Sequence, residues 1–466
     1  MLKIRRAPSP GALLLRPILE GGAPHPSGFQ GKPGEVLILN PGERWIGADG
    51  ASSAHEWERM GAACIAAAGP ARRVALDARG LPLHFAVGLA SGALLRAWRF
   101  DRLKSRGRKP SLRIELLVNE PALIAGAWAR AEASLAGAAF ARELVAEPGN
   151  RLTTTEFTRR LRALRTEGLK VTVLGRHDLQ RMGAGGLLAV GQGSVHPPRL
   201  VILRWKGCFK APPVAFIGKG ICFDTGGISI KGAAGMEAMR ADMAGAAACA
   251  GAMLALARRR SPCPAVAVLA LAENATSAMS YRPGDVLRML GGQSVEVVDT
   301  DAEGRLVLAD ALHFAAKRFR PQALLDLATL TGSVVTALGH HRAGIFTNDA
   351  ALATAVTAAG EVVGERLWPL PIGERHRADL RSDIADIRQC MPAGQGPQPD
   401  ASHAAAFLRE FVASEGGGLP WAHLDIAGVE TAEHAEGLAA KGTPTGFGAR
   451  LLDALVERHF EDPHRV

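Results

Sequence analysis

Pro213-Val214-Ala215-Phe216-Ile217-Gly218-Lys219-Gly220-Ile221-Cys222-Phe223-Asp224-Thr225-Gly226-Gly227-Ile228-Ser229-Ile230-Lys231 opens as a short apolar run and closes in charge and glycine. Residues 213–218 have the composition of a strand buried on both faces. Lys219 and Asp224 are therefore expected at or just beyond the carboxyl end of that strand, the edge at which open α/β sheets bind ligands. Downstream, Met236 to Ala257 is rich in Ala and Met and free of Pro. It stops at Arg258-Arg259-Arg260, so it reads as a packed helix with cations at its negative end. Asp242 falls inside it, among Met239, Met243 and Ala246, where a carboxylate is costly unless paired or bound to a cation. A further run, Ser294-Val295-Glu296-Val297-Val298, reads as a strand leading into Asp299-Thr300-Asp301-Ala302-Glu303-Gly304-Arg305-Leu306.

Three segments thus converge on Lys219 and four carboxylates, Asp224, Asp242, Asp301 and Glu303, a set suited to a binuclear metal site. Taken singly, each has a plain structural reading. Lys219 reads as a loop lysine, Gly226-Gly227 as a turn, Asp242 as an exposed helix residue, and Asp301 with Glu303 as partners of Arg305. Their joint order and spacing point to metal. Asp224 follows Lys219 by five residues, and Lys231 and Asp242 follow Asp224 by seven and eighteen.

These two motif stretches resemble the cytosolic leucine aminopeptidases, hexameric two-metal exopeptidases, and matching segments run from about Arg142 to Leu452. Other similar stretches are Glu147-Pro148-Gly149-Asn150, Gly185 to Gly193, Tyr281-Arg282-Pro283-Gly284-Asp285, Ala328-Thr329-Leu330-Thr331-Gly332, and Trp421 to Gly428. The resemblance implies one metal held by Lys219, Asp224, Asp242 and Glu303. It implies a second, more exchangeable metal held by Asp224, Asp301 and Glu303. Lys219 would be neutral when metal is bound, because nearby dications disfavour an ammonium. Lys231 would stabilise the oxyanion of the tetrahedral intermediate, and Arg305 would anchor a bicarbonate ion serving as general base. Met239, Thr329 and Gly332 would line the pocket for the first side chain. For Met239, simple core packing is the alternative.

The implied activity is metal-dependent release of amino-terminal residues, bulky apolar ones such as Leu foremost, from short peptides with a free amine. A metal-bridging hydroxide would be the nucleophile, with two cations roughly 3.5–4 Å apart. Zn²⁺ or Mn²⁺ would occupy the site, with Mg²⁺ also compatible with lysine and carboxylate ligands. Two departures from the family pattern stand out: Asp299 where Asn is usual, and a Pro-rich stretch from Met391 to His403 where relatives tend to be Gly-rich. None of the seven residues assigned to metal or catalysis is replaced, so activity is expected rather than a metal-bound protein that has lost it.

Other chemistries find little purchase. The fourteen histidines include no His-Glu-x-x-His, and His340-His341 are expected to cap or pack. No Gly-x-Ser-x-Gly turn and no phosphate-binding Gly-x-x-x-x-Gly-Lys-Ser/Thr loop is present. The six cysteines are scattered and read as reduced thiols of a cytoplasmic protein. Ala12-Leu13-Leu14-Leu15 is broken by Arg16 and Pro17 too early for a signal peptide, and no run reaches the ~20 apolar residues of a membrane helix.

The fold class expected is α/β. A smaller N-terminal α/β domain over residues 1–140 would serve assembly and access, and a larger catalytic domain over 141–466 would carry a mixed central sheet flanked by helices. The boundary is expected near a helix from Ala127 to Ala146. The chain carries a net charge of +10. Eight of its cations fall between Arg96 and Arg113, against one acid. That run admits a second reading, an architectural DNA-binding role with or without peptidase activity, although no nucleic-acid fold motif accompanies it.

Overall fold

The structure is a computed structural model and describes residues 2–19, 28–48, 50–107, 111–394, 398–412, 418–435 and 437–461. It divides into two compact units, Met1–Leu135 with Thr431–Thr445, and Ala136–Glu430 with Gly446–Val466.

The first unit is built on β1 (Leu2–Arg5), β2 (Leu13–Ile18), β3 (Val36–Asn40), β4 (Glu43–Gly47), β5 (Arg73–Asp77) and β6 (Arg113–Leu117). They form one sheet in the order β1-β6-β5-β2-β4-β3, parallel except for the antiparallel edge strand β3. The apolar run at Leu13–Leu15 is thus an interior strand, with Leu15 fully buried. Helices α1 (Ala54–Ala67) and α2 (Leu83–Ala97) pack together. A capping box starts α1: the Ser53 hydroxyl accepts the Glu56 N–H, and the Glu56 carboxylate accepts the Ser53 N–H. Helix α3 (Pro121–Val145) begins in this unit and contains the division between the two. In the basic run, Arg96 donates to the carbonyls of Gly437 and Ala439, while Arg108 and Lys109 lie outside the described residues.

The second unit continues with α4 (Thr154–Ala163), β7 (Lys170–Leu174), α5 (Arg176–Met182), α6 (Gly185–Gly191), β8 (Arg199–Trp205), β9 (Val214–Asp224), α7 (Ala244–Arg258) and β10 (Ala265–Asn274). Next come β11 (Val286–Arg288), β12 (Ser294–Glu296), α8 (Glu303–Phe319), β13 (Ala323–Ala328), α9 (Gly332–Leu338), β14 (Ala343–Thr347), α10 (Ala350–Val363) and β15 (Leu367–Pro369). The last elements are α11 (Glu374–Asp379), β16 (Ile387–Arg388), α12 (Asp400–Arg409), β17 (Trp421–Asp425) and α13 (Ala449–Leu455). Eight strands make a mixed sheet in the order β15-β14-β17-β13-β9-β10-β8-β7. Its centre, β17-β13-β9-β10, is parallel, and β8, β7 and β14 run antiparallel to their inner neighbours.

Because the period of a strand is two, β9 feeds both cores. Val214 and Phe216 enter the one packed by α7 and α13, whereas Ala215 and Ile217 enter the one packed by α6, α8 and α12. Both faces are covered, which is why β9 and β10 read as continuous apolar runs.

Two sequence readings change. The expected helix over Met236–Ala257 is split: Met236–Ala241 is a 3₁₀ turn, Asp242 and Met243 interrupt it, and α7 starts at Ala244. The break takes Asp242 off the helix. The strand expected at Ser294–Val298 shortens to β12 and belongs to a separate three-stranded sheet, β11-β12-β16. Among the described residues, no helix is long and apolar enough to cross a membrane, and all six cysteines are free thiols.

Within the main sheet lies a polar contact closed to water. On β13, Asp326 accepts from the Trp421 indole at 2.7 Å and the His423 Nδ1–H at 2.6 Å, both on β17. Burial alone would lower the His423 pKa, but Asp326 outweighs it and raises it. Asp326→Ala strands both donors and is expected to cost about 3–5 kcal/mol, read as a lower denaturant midpoint.

Candidate metal centre

The parallel strands end on one edge, and the site is built there. Lys219 lies within β9 rather than at its end, whereas Asp224 is the last residue of the strand. The Lys219 stem runs beneath the start of α8, where a Cβ on Gly304 would meet its Cε at 2.7 Å. The absent side chain at Gly304 therefore makes room for the lysine. Its ammonium reaches Asp242 at 2.9 Å, Glu303 at 2.8 Å and the Thr329 carbonyl at 2.8 Å. Burial would drive Lys219 toward neutrality, but Asp242, Glu303 and Asp224 outweigh it and hold it charged.

Asp224, Asp242 and Glu303 each present an oxygen such that all three lie within 4.8 Å of one another. Lys231 joins the second half of the set, pairing with Asp224 at 2.9 Å and with Asp301. The route from Asp224 to Lys231 turns through Gly226 and Gly227 at φ of 86° and 69°, where a side chain would be strained. Burial, reinforced by Asp224, raises the pKa of Asp242, Asp301 and Glu303.

All the sequence-assigned residues come together. Lys219, Asp224, Asp242, Asp301, Lys231 and Arg305 line a cavity of about 980 Å³, as do Met239, Thr329 and Gly332. Glu303, 1% exposed, stands behind its wall at the N-terminus of α8. Arg305 is not open-handed: NH1 donates to the Gln389 carbonyl at 2.9 Å and NH2 to Asp400 at 2.7 Å. His340 Nδ1–H donates to the Gly428 carbonyl at 2.7 Å, and its exposed ring lies on the cavity wall. Asp299 accepts the Asp301 N–H at 2.9 Å. Of the Pro-rich stretch, Pro397 lies outside the described residues.

Sequence reasoning missed the residues that hold this set in place. Asn274, last in β10, donates to Asp224 at 2.8 Å and to the Thr300 carbonyl at 3.0 Å. Asp425, last in β17, accepts from Leu330 N–H at 3.0 Å and the Thr331 hydroxyl at 2.7 Å, fixing the loop that carries Thr329 and Gly332. Gln389 clasps the loop before α8 through Val298 N–H and the Ala302 carbonyl. The signal available was a polar residue ending an apolar strand, as Asn274 and Asp425 both do.

The set fits divalent cations. Asp242 Oδ2 and Glu303 Oε2 are buried without a hydrogen-bond partner. A carboxylate oxygen in that position is costly unless a cation satisfies it. Lysine nitrogen with carboxylate oxygens suits Zn²⁺, Mn²⁺ or Mg²⁺. Because a cation must displace protons from these groups, its affinity rises with pH through the neutral range. Asn274→Ala, which frees Asp224 to turn, is expected to weaken Mn²⁺ binding about 10–100-fold by titration calorimetry.

The catalytic-domain model of the cytosol aminopeptidase family matches residues 139–453. A probable cytosol aminopeptidase of Brucella anthropi is 42% identical over 89% of this chain and 84% of its own length. One of Gluconobacter oxydans is 47% identical over 81% of this chain and 76% of its own length. Among solved structures, the bottromycin maturation enzyme BotP in complex with Mn superposes with a TM-score of 0.85 at 35% identity, covering 96% of this chain and 99% of that one. A mutant of tomato leucine aminopeptidase superposes equally well, with a TM-score of 0.85 at 29% identity over 98% of this chain and 97% of that one. Motif order, edge geometry and these likenesses agree: the chain belongs to the cytosol aminopeptidase family and is a metal-dependent aminopeptidase of the leucyl type.

Proposed function

We propose that this enzyme removes amino-terminal residues, bulky apolar ones such as leucine foremost, from short peptides with a free α-amine. The observation that carries the reading is the meeting of Lys219, Asp224, Asp242 and Glu303 at the strand edge, beside a cavity of about 980 Å³. Lys219, Asp224, Asp242 and Glu303 would hold one cation, and Asp224, Asp301 and Glu303 the second. When bound, the cations supply Lewis acidity at the scissile carbonyl, a site for the α-amine and a bridging hydroxide.

The protein's own groups do the rest. Lys219 would serve as a neutral amine ligand once cations shared Asp242 and Glu303, the carboxylates that now hold it charged. Lys231 is 23% exposed, and although burial opposes its charge, Asp224 and Asp301 hold the ammonium charged. With those carboxylates shared by cations, Lys231 would be left to stabilise the charge that develops on the carbonyl oxygen. Met239, with Thr329 and Gly332, forms the wall against which an apolar first side chain packs. The backbone from Thr329 to Gly332, braced by Asp425, orients the substrate main chain.

The reading extends to assembly as a homohexamer, with residues 1–140 contributing to contacts that restrict access, and to a cytoplasmic location. It takes support from the family alone. The nucleic-acid reading gains none: Arg96 is spent on backbone carbonyls, and the relatives named above are described as peptidases or as a maturation enzyme.

A leucyl peptide and its N-acetyl twin, offered to chelator-stripped protein and then to protein given Mn²⁺ or Zn²⁺, test the reading directly. Cleavage of the free-amine peptide alone, and only with metal, is expected. Cleavage of the acetylated twin at a similar rate, or cleavage that survives stripping, would refute it.

A further inference from the structure

Arg305 and Asp400 form an unequal pair in the wall of the cavity. The arginine side chain is 2% exposed and the aspartate 36%. A buried guanidinium thus presents a carboxylate to the space where substrate lies. The arrangement is firmly seated. Asp400 is the first residue of α12; the next N–H, of Ala401, donates to Ser333 at 2.8 Å, and the Ser402 hydroxyl donates to the Pro371 carbonyl at 2.9 Å. Arg305 itself is fixed through NH1 on the Gln389 carbonyl. Its Nε is buried without a partner, so a second donor stands beside NH2 for the other oxygen of whatever anion the arginine holds.

The other carboxylates at the centre have different work. Asp224, Asp242, Asp301 and Glu303 are held against Lys219 and Lys231 and form the cation set. Asp299 turns one oxygen to the Asp301 N–H. Asp400 has no lysine partner among these and belongs to no ligand set. A dissolved bicarbonate at Arg305 would have to compete with it for NH2.

The geometry points to Asp400, presented by Arg305, as the base of the reaction, replacing a dissolved oxyanion. This rests on the aminopeptidase reading above. Asp400 accepts one proton of the attacking water, and the hydroxide so formed bonds through an oxygen lone pair to the scissile carbonyl carbon as the carbonyl π pair moves onto its oxygen. The C–N bond then breaks, its electron pair leaves with the nitrogen, and Asp400 returns the proton to that nitrogen. The products are a free amino acid and a peptide one residue shorter, and Asp400 is again a carboxylate.

Anion dependence separates the two possible sources of the carboxylate. Mn²⁺-loaded wild type, Asp400→Ala and Asp400→Asn are compared on a leucyl peptide in buffer purged of carbon dioxide, then with added bicarbonate or formate. Wild type is expected to keep its rate in purged buffer. Both variants should lose about 10²–10⁴-fold in kcat, and Asp400→Ala, which leaves a space at Arg305, should regain activity with formate or bicarbonate but not chloride. Calorimetry should detect formate binding to Asp400→Ala and none to wild type. Three results would each overturn the proposal: a wild type that stalls without bicarbonate, a variant at full rate, or a loss that no small carboxylate rescues. The thermal shift on adding Mn²⁺ shows whether each variant is folded and loaded, and the isosteric Asp400→Asn serves if Asp400→Ala is not. A wild type inactive on every free-amine peptide would instead refute the aminopeptidase reading and is seen before any variant is made.

Discussion

Everything at the centre follows from a lysine placed inside a buried parallel strand. An ammonium in that position is tolerable only if carboxylates come to it, and Asp242 and Glu303 do so from two other segments. The demand shapes the backbone around it. The helix that would have run from Met236 breaks at Asp242, so the carboxylate points at Lys219 instead of riding a helical face. Helix α8 begins at Glu303, and its second residue is a glycine because the lysine stem passes under it. Four carboxylates against two ammonium groups still leave negative charge, and two buried oxygens without partners. Divalent cations answer that surplus.

How much of this could be read in the chain depends on the range of the interaction. Lys219, Asp224 and Lys231 are near neighbours on one strand and turn, so their spacing was legible. Asp301, Glu303 and Arg305 share another short segment and were legible for the same reason. The α/β class was visible too, because doubly covered strands such as β9 and β10 must be apolar throughout. Asn274, Gln389, Asp425 and Asp400 were not found, since each acts across 50 to 95 residues on a partner that only the fold supplies. The helix break at Asp242 was missed because Ala and Met favour helix on both sides of it, and the local preference yields to a tertiary charge. Likewise β12 has the alternation of a strand but joins a small separate sheet, a choice no short window reveals.

The support around the centre is graded in kind. The Gly226 N–H and the Asn274 amide orient Asp224, and the Thr329 hydroxyl donates to Asp242 at 2.8 Å. Just inside the site edge, Asp326 locks β13 to β17 through His423 and Trp421 with no water access. The same strands carry Thr329 and Asp425 just beyond and at their ends. The rigidity of the substrate wall is therefore inherited from the sheet and not generated at the loop.

The cation set is also lopsided in depth. Glu303 and Lys219 are 1% and 3% exposed, whereas Asp301 is 33% exposed. The inner groups thus answer to the sheet and helix that carry them, and Asp301 to the surrounding solution. The acidic set therefore spans the boundary between protein and medium, its deep end set by packing and its shallow end by solvent.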